Sequence, residues 1–287
     1  MRYGCIHRRR RQHSIRMMCR VLQVSRSGYY DWAQRAESVR RCRDRELSLL
    51  IRRIHLETRG VYGARKIHQA LLILGEPCGR HRVARLMRQD GLKGCPKRRF
   101  RRLAGDPPSH PIAPNLLAQD FTASRANERW AADITFIATR QGWLYLAIVM
   151  DLYSRRIVGW AMDSQVGRHL VIDALTMALG YRQPQDSLLH HSDRGPQYTS
   201  DDFRDLLARH GIQCSMSARG SCYDNAPVES FFSLLKRERV RRRTYRTREE
   251  AKADVFDYIE CFYNRRRSHA YLDYLSPVEY ENQRAGT

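Results

Sequence analysis

The segments SLLHHSDRGPQYTS (187–200) and SMSARGSCYDNAPVESFFSLLKRE (215–238) decide how this chain is read. In the first, Asp193 follows the short run Ser187-Leu188-Leu189 and precedes the turn dipeptide Gly195-Pro196, which sets it at a strand's carboxyl end. In the second, Asp224 or Asn225 announces a helix as its N-cap and Pro227 falls in the first turn. Val228, Phe231, Phe232 and Leu235 then turn one face to a core, so Glu229 lies near the helix start. A third acid lies upstream. In Trp130-Ala131-Ala132-Asp133-Ile134-Thr135-Phe136-Ile137, Asp133 interrupts a β-prone apolar run, which is costly in a sheet interior unless the charge is compensated. A divalent cation is one such compensation.

Three acids from two strands and a helix suit two-metal phosphoryl chemistry, in which carboxylates converge on ions ~3.5–4 Å apart. Mg²⁺ fits such a site because it takes oxygen ligands and keeps waters that a substrate phosphate can replace, and Mn²⁺ is an expected substitute. Lys236 follows Glu229 by seven residues, two turns along the same helix face, and is placed to hold a phosphate in the same groove.

These segments resemble the OrfB-type insertion-sequence transposases, whose catalytic core is like that of retroviral integrases. The resemblance rests on Trp130 to Ile137 with Asp133, on HSDRGPQY with Asp193, and on Ser217 to Glu238 with Glu229. Thirty-five residues lie between the second and third acids, the spacing characteristic of that family. Similarity extends through nearly the whole chain, including CRVLQVSRSGYYDW near the amino terminus and the YN-basic-HxxLxxxSP phrase with Leu272, Ser276 and Pro277. It implies Asp133, Asp193 and Glu229 as catalytic and metal-binding residues, and a circular intermediate made by joining one element end to the other.

The chain carries 52 Lys+Arg against 30 Asp+Glu, a net of +22. Residues 1–102 hold 28 of the bases and 7 of the acids, so nearly all the excess sits in the first third. That distribution reads as a DNA-binding region joined to a roughly neutral enzymatic one. No apolar run approaches the ~20 residues of a membrane span, and Arg8 to Arg11 leads into a mixed segment instead of a secretory apolar one. Eight Cys without a CxxC pair indicate neither a disulfide framework nor a zinc ribbon, which agrees with a reduced cytoplasmic setting.

Along the chain, residues 1–40 read as a basic arm, expected to be poorly ordered over 1–12, followed by a helix-turn-helix-like pair. Ser14 caps its first helix and Ser25 its second, with Arg26 facing DNA. Residues 44–94 form a second helical module with three apolar stripes ending near Gly60, Gly75 and Gly91. Arg82, Arg85 and Arg88 repeat along its third helix as candidate DNA contacts. Residues 95–126, with PKRRFRR and five prolines between 96 and 114, read as an extended linker. Residues 127–240 read strand, strand, strand, helix, strand, helix, strand, helix. The second strand, apolar on both faces, is expected to be central; the first helix is expected to end at Gly180; Thr199 with Asp202 is expected to form a capping box. Residues 241–287 form a helical extension with Thr247 and Glu250 as a further capping box. The predicted fold is α/β, a ribonuclease H-like mixed five-stranded sheet with helices, preceded by small all-helical DNA-binding modules. His190, His191 and Gln197 flank Asp193, where they orient water or DNA or make local turn hydrogen bonds.

The function expected is metal-dependent DNA strand cleavage and strand transfer, with two Mg²⁺ ions and element ends and target DNA as substrates. Paired ends imply a homo-oligomer on DNA, and the family implies a possible upstream-frame protein or fusion as partner. A DNA-binding regulator with an inactive core, or a ribonuclease H-type nuclease acting on hybrids, are the competing readings. The basic first third favours DNA over hybrids, and the three acids favour chemistry over a vestigial scaffold.

Overall fold

The computed structural model describes residues 2–96, 113–184, 187–217 and 222–284. Of the linker expected over 95–126, residues 97–112 lie outside the described residues, whereas 113–126 are not an extended spacer: Leu117 is buried, the N–H groups of Leu116 and Leu117 donate to the Ser215 hydroxyl, and Asn115 and Gln119 donate to Asp224. Among the described residues no helix is long and apolar enough to cross a membrane.

The arginine-rich start is helical, contrary to the expectation of a poorly ordered arm: α1 spans Arg2–Arg9. Its order comes from contacts a local reading of the arginines does not show. Ile6 is fully buried beside Met18, Cys19 and Tyr29, and Tyr3 and His7 pack against Trp32. The next two helices, α2 (Ile15–Val21) and α3 (Arg26–Gln34), start where expected, with Ser14 accepting from the Met17 N–H and Ser25 from the Gly28 N–H. Three further helices follow, α4 (Val39–Glu57), α5 (Ala64–Ile73) and α6 (Arg80–Gln89). Leu47, Ile51, Ile54, Ile67, Leu71, Val83, Leu86 and Met87 meet in their common core.

The sheet contains β1 (Arg129–Thr139), β2 (Gly142–Asp151), β3 (Ile157–Asp163), β4 (Leu189–Ser192) and β5 (Gln213–Met216), in the order β3-β2-β1-β4-β5. β1 pairs antiparallel with β2 and parallel with β4, and β2 pairs antiparallel with β3. β2 is an inner strand, but the middle of the sheet is β1, because the later β4 adds to its free edge. The helices α7 (Arg168–Arg182) and α8 (Asp201–Arg209) connect the later strands; α9 (Ala226–Glu238) follows β5. This is a ribonuclease H-like mixed sheet with helices on both faces. Alternation along β1 sends Trp130 and Ala132 to the α7 side and Ala131 and Ile137 to the α9 side.

Two local expectations are corrected. α7 runs through Gly180 to Arg182 and ends at Gln183 in the left-handed region, since a glycine followed by residues able to continue the helix does not stop it. The capping box at Thr199 and Asp202 does not form: Ser200 is the N-cap, and the Thr199 hydroxyl turns back toward the carbonyls of Gly195 and Pro196. Where α7 crosses β3, a Cβ on Gly159 would fall 2.2 Å from the Ala174 carbonyl oxygen. Because backbone cannot yield as a side-chain tip can, Gly159→Ala is expected to cost about 1–3 kcal/mol in urea unfolding; an unchanged midpoint would contradict this close packing.

Beyond α9, the helix α10 (Arg248–Phe256) is capped by Thr247, as expected, and continues as a π-helical segment, Asp257–Tyr263. The Asn264 side chain bonds both the N–H and C=O of Ile157 on β3. α11 (Pro277–Arg284) brings Glu281 to Ser154 and Arg156 beside β3. The α4–α6 module rests on this carboxyl-terminal region. Arg59 pairs with Asp257, Lys66 donates to the Ser268 carbonyl at 2.7 Å, and the Ser268 N–H donates to the Tyr62 hydroxyl at 2.7 Å.

Candidate active site

β1 and β4 bring two of the predicted acids together. Their parallel register sets Ala131 beside His191. Asp133 lies two residues beyond that pair on β1 and Asp193 two residues beyond it, just past the end of β4, near enough for the charge of Asp193 to act on Asp133. Asp133 is half-buried, with its carboxylate accepting the Ile134 N–H at 2.7 Å. Asp193, just past the end of β4, is more open and accepts the Gly195 N–H at 2.9 Å, which closes the turn expected at Gly195-Pro196.

Electrostatics agree with that placement. Loss of water and the nearby negative charge of Asp193 push the Asp133 carboxyl up to about 7, against the Ile134 N–H and Lys236. Loss of water also raises Asp193, against the Gly195 N–H. Two carboxylates that resist ionising side by side form a donor set that a divalent cation completes.

Glu229 lies in the first turn of α9, half-buried. The start of that helix is fastened to the strand of Asp133: the Asn225 amide donates to the Ala132 carbonyl at 2.9 Å, and Asp224 accepts from Asn115 and Gln119. Asn225 is the N-cap by position, but its side chain binds the sheet in place of capping the helix. Among the described residues, no three His, Cys, Asp or Glu side chains are gathered as a metal-holding cluster. The structure thus joins the two aspartates and sets Glu229 on the helix fastened beside them without closing the group of three.

Lys236 lies further down α9, its ammonium 4.7 Å from the centre of the Phe136 ring on β1. Burial lowers its pKa, Arg241 adds to the effect, and Asp133 opposes it. The remaining DNA candidates are dispersed. Arg26 and Arg88 are exposed, whereas Arg82 and Arg85 each donate to Asp44 on α4 at 2.7 Å. The two histidines before Asp193 belong to β4 and are fully buried, not turn residues within reach of solvent. His191 contacts the hydroxyls of Ser215 and Ser217 at 2.9 and 3.1 Å, and His190 packs on Phe203. Burial lowers both imidazoles, to about 3 for His190 and about 4 for His191, so both are neutral. Gln197 is half-buried beside Gly195.

Tyr198 was not singled out by the sequence, where it reads as a turn aromatic. It is buried against His190 and Phe203, its hydroxyl lacks a hydrogen-bond partner among the described residues, and burial and then the charges of Asp133 and Asp193 raise its pKa. Removing an unpartnered buried hydroxyl relieves a desolvation cost, so Tyr198→Phe is expected to raise unfolding stability by about 1 kcal/mol. A loss of that size in urea titration would contradict the unpartnered state.

Residues 123–222 and 229–284 match models described as integrase core domains, and residues 42–100, which hold α5, α6 and most of α4, match an HTH-like domain. Among curated proteins, "Transposase InsF for insertion sequence IS3A" of Escherichia coli (strain K12) is 42% identical over 99% of both chains. The "Insertion element IS600 uncharacterized 31 kDa protein" of Shigella sonnei is 43% identical over 93% of this chain and 98% of that one. Among solved structures, a chain of the simian T-cell lymphotropic virus intasome, in complex with PP2A regulatory subunit B56 gamma, has a TM-score of 0.47 at 13% identity, covering 80% of this chain and 73% of its own. With an integrase-type core and relatives matched over nearly their full length, the chain belongs to the IS3-type insertion-sequence transposases, enzymes of the DDE class.

Proposed function

We propose that this transposase cuts a DNA strand at an element end and joins the freed 3′-hydroxyl to a second phosphodiester, with Asp133, Asp193 and Glu229 as the residues that hold two Mg²⁺ ions. The approach of Asp133 and Asp193 where β1 and β4 leave their pairing, beside the start of α9 and with both carboxyls raised, carries this reading. In such a site divalent ions, Mn²⁺ included, supply activation of the attacking oxygen and charge relief at the leaving oxygen. The chain's part is to give up the carboxyl protons of the aspartates, to bring Glu229 across from the first turn of α9, and to hold substrate phosphate with Lys236. Neither aspartate need form a bond to the DNA, so the two strand exchanges proceed as in-line displacements.

The basic first third captures DNA through its phosphates, with Arg26 and Arg88 as contacts. Arg82 and Arg85 contribute through the potential of their face more than by direct contact, because Asp44 engages both. Two ends joined in one event require at least two copies of the chain, and a protein from the upstream frame is the further partner the family suggests. The reaction takes place where the DNA is, in the cytoplasm.

The test is strand transfer by the purified chain on labelled end-containing duplex with Mg²⁺. Products longer than the substrate, absent with scrambled ends, are expected. Nicking without joining would indicate that an upstream partner is required; DNA binding without cleavage in Mg²⁺ or Mn²⁺ would favour a regulator.

A further inference from the structure

Arginines crowd around the carboxyl end of α9. On one side, carboxylates neutralise them: Arg59 and Arg239 with Asp257, Arg243 with Asp254, and Arg267 with Glu238. Beside these is a cleft of about 310 Å³ between α9 and the chain leaving the α4–α6 module, lined by Lys93, Arg237, Arg241 and Arg242, with no Asp or Glu among the described residues that line it. Arg237 does approach Glu238, at 3.6 Å, but Glu238 already receives two hydrogen bonds from Arg267.

The cleft is a built feature. Its module side is held by the Cys95 N–H donating to the Val61 carbonyl at 3.1 Å, and by glycine packing so close that a Cβ on Gly94 would lie 2.5 Å from the Gly63 nitrogen. Arg242 spans the gap, donating to the Arg59 carbonyl at 3.3 Å and contacting the Cys95 sulfur at 3.5 Å. On α9, Ser233 and Arg237 follow Glu229 by four and eight residues, so they continue its face for about 12 Å along the axis. A cationic cleft that continues along α9 from Glu229 has the chemistry of a phosphodiester site.

We propose that this cleft binds the backbone of the DNA duplex whose scissile phosphate lies at Asp133 and Asp193, so that the α4–α6 module and α9 clamp one DNA segment between them. The proposal rests on the transposase reading and adds to it a path for the substrate, from the acid pair along Ser233 and Arg237 to Lys93 and Arg242.

The test is the salt dependence of duplex binding by the full-length chain, measured without divalent cation so that loss of catalysis does not affect it. Each phosphate contact removed lowers the slope of log K against log salt by about 1, so Lys93→Gln with Arg242→Gln is expected to lower it by about 2. Arg168→Gln, which removes a charge from α7 on the opposite face of the sheet, is expected to leave it unchanged. Lys93→Gln alone guards against a folding defect, since Lys93 is exposed; it is expected to lower the slope by about 1. A duplex bearing a disulfide-activated tether on a backbone phosphate should be captured by Cys95 ahead of the exposed Cys42 and Cys261. An unchanged slope, an equal effect from Arg168→Gln, or capture at Cys42 or Cys261 first would overturn the proposal. If strand transfer failed in the wild type while these slopes behaved as expected, the catalytic reading alone would fall.

Discussion

Asp193→Asn is expected to abolish strand cleavage and strand transfer, by on the order of 10³-fold or more, while leaving duplex affinity in the absence of divalent cation within about twofold. The size follows from what the substitution removes. The amide keeps the shape of the carboxylate and can still accept the Gly195 N–H that shapes the turn, so β4 and its neighbours remain in place. It lacks the negative charge that, in the proposed site, holds a cation together with Asp133. A loss of 10³-fold corresponds to about 4 kcal/mol of transition-state stabilisation. Single-turnover rates on pre-nicked and intact end DNA would measure it for both steps, and a loss confined to one step would contradict a single site serving both.

Arg267→Ala is expected to have the largest effect on stability, about 3–5 kcal/mol. Arg267 and Glu238 are both buried, with two hydrogen bonds of 2.9 and 2.7 Å between them and a third to Glu238 from the Tyr258 hydroxyl at 2.8 Å. Removing the guanidinium leaves a carboxylate without its counter-charge at the junction of α9, the π-helical segment and the YN-basic phrase. Its pH dependence follows from the direction of the Glu238 shift. Burial alone would raise that carboxyl, but the hydrogen bonds and charge of Arg267, with Tyr258, hold it below the usual carboxylate range. In the wild type the group therefore contributes stability that is present above its unfolded pKa, about 4.3, and is lost as pH falls through the folded value. In Arg267→Ala burial dominates, the folded value rises above the unfolded one, and stability falls as pH increases. The difference between the two proteins should thus be larger at pH 8 than at pH 5 in urea unfolding. A difference that shrinks toward pH 8 would mean that the carboxylate finds another partner.

Features set by short-range pattern were legible in the sequence. Asp193 next to Gly195-Pro196, Glu229 behind Asn225 and Pro227, and Asp133 inside an apolar run each lie where local chemistry places them, because turn, cap and alternation are properties of adjacent residues. Features set by distant partners were not. The arginine-rich start is helical because Tyr29 and Trp32 on α3 cover Tyr3 and His7. Arg82 and Arg85 read as a DNA-facing row until Asp44, about forty positions earlier, comes to lie between them. His190 and His191 look like loop residues beside an acid, yet the parallel pairing of β4 with β1 and β5 buries them. Asn225 carried the right position and a different role, because its amide meets a carbonyl of β1 that only the folded sheet supplies. The meeting of Asp133 with Asp193 is likewise a property of register between β1 and β4. Asp133, Asp193 and Glu229 could be picked out as candidates from the sequence; the strand pairing that brings the first two near each other could not.

Whether Glu229 joins Asp133 and Asp193 around bound metal can be read by iron-directed backbone cleavage. Fe²⁺ in place of Mg²⁺, with ascorbate and peroxide, generates radicals that cut the chain beside the residues that hold the ion, and mass spectrometry reads the positions. Cuts are expected around residues 133, 193 and 229 together, all suppressed by excess Mg²⁺ and by Asp193→Asn. Cuts near 133 and 193 with none near 229, or cuts at the three that Mg²⁺ does not suppress, would contradict it.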